Sequence, residues 1–201
     1  MLSFCYYPIV ILLRIIFGLY NRFEVHGREN IPQEGALIVV SNHTSYLDPT
    51  ILGAAVKGRR LYYLAKEELF RVPFLGAFIK HHSLPVGRGR AIPSAIKKAL
   101  ATLASGGAIA LFPGGGRARG GDGTETEFQK GIDLIARRSG AAILPVYIEG
   151  AERSWPAGGK FIKPAKIRVI IGKPFSYEKD CAEAGASCVS LEKIKDLSQW
   201  R

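Results

Sequence analysis

Residues 36–40 read ALIVV without a polar position, and the chain turns polar at once in SNHTS. An unbroken apolar run of this length suits a strand buried on both faces. Similar short runs recur at 61–64, 84–86, 108–112, 142–148 and 167–171. Between them the apolar spacing lengthens to that of a helix. Over 93–105, Ile96, Ala99, Leu100 and Leu103 share one helical face, and Gly106-Gly107 ends it. Over 125–139 the stripe is Phe128, Ile132 and Ile135. Thr124 and Glu127 suit a capping box there, Arg137 and Arg138 the last turn, and Gly140 the stop. Beyond residue 175 the periodicity weakens to one closing helix around 191–197. Strands alternating with helices predict an α/β fold, a mixed and largely parallel sheet flanked by helices.

The N-terminus breaks this pattern. Residues 4–20, FCYYPIVILLRIIFGLY, are apolar apart from Arg14 and are interrupted by Pro8. Such a segment is at the short limit for a spanning helix, and a central arginine costs about 2.5–3.5 kcal/mol on the insertion scale. No basic leader and small-residue cleavage site mark it as a signal peptide. It reads as a membrane-associated helix lying in the bilayer interface, with Arg14, Arg22 and Arg28 reaching lipid phosphates. The alternative is a core helix packed on the domain. The expected organisation is this helix over 1–22 and one domain over 23–201.

Composition narrows the partner. At 201 residues and 47% hydrophobic content the chain suffices for one core, and its formal net charge is +11. That excess favours an anionic partner: a lipid surface, a phosphorylated substrate or nucleic acid. Nucleic acid is the least favoured, because few aromatics interleave the arginines between Arg88 and Arg119. The 3 cysteines form no zinc-like spacing with the 4 histidines, so no metal site is expected, and an odd count fits a reducing compartment.

Unusual polar residues follow three of the predicted strands. Run 36–40 leads to His43 and Asp48, run 84–86 to Arg88 and Arg90, and run 108–112 to a glycine-rich stretch with Arg117 and Arg119. In open α/β sheets ligands bind outside the carboxyl ends of strands, so parallel alignment would gather these groups in one cleft for an anionic substrate. An imidazole is the usual general base, and a carboxylate on its other nitrogen sets the tautomer. On one continuous helix the two would lie about 140° apart, so His43 belongs in a loop and Asp48 at a helix start. Asp48-Pro49 reads as an N-cap and first helical residue, which also allows Asp48 to be a cap and nothing more. No G-x-S-x-G elbow or neighbouring cysteine supplies a nucleophile, and Thr44 and Ser45 read as turn residues. A base without a protein nucleophile points to direct attack by a substrate hydroxyl on an activated donor such as a thioester. The glycine-rich stretch lacks P-loop and dinucleotide signatures. Adjacent His81 and His82 point to opposite faces of a regular strand and read as structural. The Asn42-His43-Thr44 match to a glycosylation sequon reads as accidental.

From Phe23 to Gly150 the chain resembles the glycerolipid acyltransferase family typified by 1-acyl-sn-glycerol-3-phosphate acyltransferase, with its H-x-x-x-x-D motif. The N-H-x-x-x-x-D block stands as Asn42-His43-Thr44-Ser45-Tyr46-Leu47-Asp48. The second block, a short strand closing on arginine, stands as Leu84-Pro85-Val86-Gly87-Arg88. The third, F-P-E-G-T-R-S, corresponds to Phe112-Pro113-Gly114-Gly115-Gly116-Arg117-Ala118, and the fourth to Ile143-Leu144-Pro145-Val146. The resemblance implies acyl transfer from acyl-CoA or acyl carrier protein, as donor substrate and with no cofactor, to the free hydroxyl of a lysophospholipid. His43 would be the base and Asp48 its orienting partner, with Arg88, Gly115, Arg117 and Pro145 binding substrate. The implied place is the cytoplasmic face of a membrane with anionic lipids. The third block departs from the family pattern, with Gly114 at the acidic position. This leaves open another lysolipid acceptor, or an inactive lipid- or carrier-binding member of the fold.

Overall fold

The computed structural model describes residues 6–66, 83–86, 91–113, 124–156, 159, 161–181 and 185–199. Among the described residues seven strands form one sheet: β1 (Glu24–His26), β2 (Leu37–Ser41), β3 (Leu61–Lys66), β4 (Ser83–Val86), β5 (Ala108–Leu111), β6 (Ala142–Glu149) and β7 (Arg168–Ile171). Their order is β1-β7-β6-β2-β5-β3-β4. Every pairing is parallel except β6 with β7. The expected mixed, largely parallel sheet is therefore present. The strands ahead of His43, Arg88 and Arg117 are β2, β4 and β5, and they deliver their carboxyl ends to one rim.

Strand β2 sits in the middle, with Leu37↔Ala108 and Val40↔Leu111 on one side and Val40↔Pro145 and Ser41↔Val146 on the other. All its residues are buried because helices cover both faces. On one face Leu37, Val39, Leu144 and Val146 meet Ile51 and Leu52 of α2 (Asp48–Ala55) and Phe17 of α1 (Tyr6–Asn21). On the other, Ile38, Val40, Ile109 and Ile143 meet α3 (Ala91–Ala104) and α4 (Thr124–Ser139) through Leu103, Ile132 and Ile135. Short helices α5 (Ala151–Ser154) and α6 (Tyr177–Asp180) precede α7 (Ala186–Ser198), which closes that second face with Val189 and Ile194.

Four elements exceed the pattern reading. Strand β1 has no apolar run to mark it and is held by pairing with β7. The single-turn helices α5 and α6 are too short for periodicity to register. The closing helix starts at Ala186, earlier than its apolar residues suggest, because Asp133 Oδ1 accepts the Ser187 N–H at 2.8 Å and ends a free helix terminus there.

Helix α1 packs on α2 and buries Tyr6 and Phe17, while its other side leaves Ile11, Leu12, Ile15, Ile16 and Leu19 in solvent. It spans 16 residues. Among the described residues no helix is long and apolar enough to cross a membrane.

Candidate active site

The site begins where β2 ends. Asn42 cannot continue the ladder with its backbone once the chain turns, and its side chain does so instead. Its Oδ1 accepts the Ile148 N–H at 2.8 Å and its Nδ2 donates to the Ile148 carbonyl at 2.8 Å. Both buried groups of β6 are thus satisfied, and the main chain is free to leave the sheet at His43.

Asp48 organises the turn that follows. Its Oδ2 accepts the backbone N–H groups of Thr44 at 2.6 Å and Ser45 at 2.8 Å, and faces His43 Nδ1 at 2.9 Å. The N-cap expectation is corrected here. Helix α2 begins at Asp48 itself, Leu47 is the capping position, and the carboxylate turns back to the loop amides. Proline at the start of the helix removes one N–H that would otherwise compete for that carboxylate. The first-turn position also places the acid at the positive end of the helix dipole. Thr50 Oγ1 donates to Leu47 O at 2.7 Å and Tyr63 OH to Pro49 O at 2.7 Å, which holds the start of the helix against β3.

An oxygen already accepting two N–H donors is an acceptor toward the third group as well. The proton between the pair therefore sits on His43 Nδ1, so that in the neutral ring Nε2 is the nitrogen with the free lone pair. The Asp48 side chain is 0% exposed and that of His43 is 15% exposed, so the carboxylate is sealed while the ring reaches solvent. Phe112 closes one face of the imidazole at 4.4 Å between centroids, with planes 27° apart. That contact follows from register: Leu111 pairs with Val40, so the next residue of β5 emerges beside the turn after β2. Among the described residues, Asp48 Oδ1 has no hydrogen-bond partner.

A second segment braces the turn. Ser45 Oγ donates to Trp155 O at 2.7 Å and accepts Leu47 N–H at 3.2 Å, Ser45 bridges to Pro156, and Tyr46 contacts the Trp155 ring at 5.4 Å. The Ser45 hydroxyl proton is committed to the Trp155 carbonyl and not to a base that could activate the oxygen. Cys181 and Cys188 lie at and in the helices of the opposite sheet face, Cys181 buried and Cys188 exposed.

The structure thus brings His43 and Asp48 together. Arg88, Gly115 and Arg117 lie outside the described residues, as do Arg90, Arg119, Gly114, His81 and His82. Pro145 is buried in the body of β6. Its ring points toward Gly172 and α7, while Leu144 and Val146 point toward α2. Asn42, Phe112 and Trp155 act on the site without having been read as functional. Asn42 and Phe112 carried a signal, as the opening residues of the first and third motif blocks, and Trp155 carried none.

A cavity of about 420 Å³ opens at the opposite rim, lined by Gln33, Arg59, Tyr62 and Gly106. Its buried Arg59 guanidinium donates to the carbonyls of Pro32, Gly35 and Gly106 at 2.8, 2.6 and 3.0 Å. That is a structural lock between loops. The His43–Asp48 pair lies at the other, carboxyl rim.

Known proteins match this arrangement. A family model described as Acyltransferase matches residues 22–149. The chain is 30% identical over 164 residues to the 1-acyl-sn-glycerol-3-phosphate acyltransferase of Bacillus subtilis, covering 81% of this chain and 78% of the relative. It is 28% identical to the chloroplastic enzyme of that name, LPAT1, from Arabidopsis thaliana, covering 80% of this chain and 45% of the longer plant protein. Among solved structures it is similar to the 1-acyl-sn-glycerophosphate (LPA) acyltransferase PlsC from Thermotoga maritima. There the TM-score is 0.76 at 28% identity, covering 98% of this chain and 79% of that one.

Proposed function

This chain belongs to the acyltransferase family, and we propose that it transfers an acyl chain to the free hydroxyl of 1-acyl-sn-glycerol-3-phosphate, giving phosphatidic acid for phospholipid synthesis. The observation that carries the reading is the His43–Asp48 pair at 2.9 Å, sealed at the carboxylate and open at the imidazole. The relatives' names supply the substrate class.

In this reading His43 Nε2 takes the proton of the acceptor hydroxyl as its oxygen attacks the thioester carbonyl of acyl-CoA or acyl carrier protein. The C–O bond forms, the C–S bond breaks, and the imidazolium returns its proton to the departing thiolate. Asp48 holds the ring by Nδ1 and stabilises its transient positive charge. No acyl-enzyme forms, consistent with the engaged Ser45 hydroxyl. Arg88 and Arg117 bind the acceptor phosphate and Gly115 lets the backbone approach it. Helix α1 lies on the cytoplasmic face of the membrane among anionic lipids, which its solvent-facing apolar side supports.

The test is purified protein in detergent with labelled acyl donor and a panel of lysolipids. Acceptor-dependent release of free thiol is expected with 1-acyl-sn-glycerol-3-phosphate and is lost in His43→Ala. No release with any acceptor overturns the enzyme reading. Preference for lysophosphatidylethanolamine reassigns the acceptor, as glycine at position 114 would permit.

A further inference from the structure

Phe161 is 77% exposed, second only to Leu19 of α1 at 85% among the large apolar side chains described. One exposed apolar residue needs no explanation. The backbone beneath this one is what sets it apart. Tyr20 OH donates to Ile162 O at 3.1 Å, and Ile167 N–H donates to Asn21 O at 2.9 Å. Asn21 Nδ2 donates to Ala165 O at 3.1 Å and to Ser154 Oγ at 3.0 Å. Ser154 in turn donates from Oγ to Lys163 O at 2.9 Å, and its carbonyl accepts Lys163 N–H at 2.8 Å. Asn21 and Ser154 are both buried. Residues 161–167 are therefore clamped to the last turn of α1, and they hold Phe161 and Ile162 in solvent beside Tyr20.

We propose that Phe161 and Ile162 form a second membrane-inserting element, which enters an anionic bilayer together with the outer face of α1. The inference rests on the membrane placement of α1 proposed above and adds a separate element to it. A helix lying in the bilayer plane can still roll about its own axis. A second insertion point beside the helix removes that freedom and fixes one orientation.

Charge selects a bilayer over a second copy of the chain. The net charge is +11, and Lys163 and Arg22 are exposed at the edge of this apolar surface. Two such faces repel each other, whereas anionic headgroups complement them. Tyr20 suits the boundary, with its ring beside the apolar residues and its phenol engaged at the loop. Ser154, which holds Lys163, is followed by Trp155, whose carbonyl accepts Ser45 Oγ and whose ring contacts Tyr46 in the turn after His43.

The test places an environment-sensitive fluorophore at Ile15→Cys, Phe161→Cys or, as a control on α7, Lys195→Cys, with Cys5 and Cys188 replaced by serine. Vesicles contain equal parts phosphatidylglycerol and phosphatidylcholine, with or without doxyl-labelled lipid. Quenching at 15 and 161 and none at 195 is expected. Quenching at 15 without 161 overturns the second element and leaves the α1 reading standing. Quenching at neither position removes both. A shielded, unquenched probe at 161 together with a dimer mass in light scattering assigns the surface to a second copy and also overturns the proposal. As an independent arm, joint Phe161→Ser and Ile162→Ser substitution should weaken vesicle partitioning about tenfold. Tm and thiol release with a detergent-dispersed acceptor should stay unchanged. Undiminished partitioning overturns the proposal.

Discussion

Asp48→Asn separates the electrical role of the carboxylate from its role in holding the turn. The Thr44 and Ser45 amides meet Oδ2 at 2.6 and 2.8 Å, and they will select the oxygen of an asparagine amide for the same place. His43 Nδ1–H then still finds an acceptor, so the tautomer survives and the charge alone is lost. The amide NH2 takes the position of Oδ1, where no described residue offers a partner. Two unit charges about 4 Å apart at an effective dielectric near 20 interact by about 4 kcal/mol, an upper bound for a fully formed imidazolium. With charge about half developed in the transition state, the loss is about 2 kcal/mol or more. The acyl-transfer rate should therefore fall between about 30-fold and 1000-fold. Asp48→Ala removes the acceptor from both amides as well, which should lower stability by about 2–4 kcal/mol. The assay follows acceptor-dependent thiol release beside thermal unfolding of each variant. Asp48→Asn retaining more than a tenth of the rate with its fold intact would refute the charge argument.

Three further outcomes follow from local geometry. Arg59→Met should lower stability by about 3 kcal/mol, since three carbonyls at the amino rim lose one shared donor; chemical denaturation measures it. Gly150→Ala should cost about 2 kcal/mol or more, because its φ of +87° is left-handed and an added Cβ collides with the Lys166 carbonyl. An unchanged Tm would contradict that. Burial, with Asp180 and Asp133 adding to it, raises the Cys181 thiol from the ordinary 9.0 to about 11. The folded state thus holds this proton more tightly than the unfolded chain. Its stabilising contribution is complete below about pH 9 and is lost as pH rises through about 11. Maleimide at pH 8 should label exposed Cys188 quickly and Cys181 only on unfolding.

The strands were legible because burial on both faces leaves a local mark. Residues 36–40 and 108–112 could hardly be read otherwise, and β2 and β5 lie there. Helix stripes behaved alike: Ile132 and Ile135 face the core as their spacing requires. Strand β1 left no such mark, since its three residues are half-buried at the sheet edge. For the site, residue types and the strand-to-helix turn were enough to pair His43 with Asp48. They misassigned what else the carboxylate binds, because a residue before proline-led helix reads as a cap in one dimension whichever amides it meets.

The chain by itself determined the fold class, the parallel strands and the pairing of His43 with Asp48, all of which are written in short-range patterns of polarity and residue type. Tertiary structure decided which distant groups complete them. Ile148 lies 106 positions from the Asn42 amide it receives, and Trp155 lies 110 positions from Ser45. Phe112 reaches His43 only because β5 happens to be the neighbour of β2. Strand order arises from how whole faces pack, and no local run of residues encodes it.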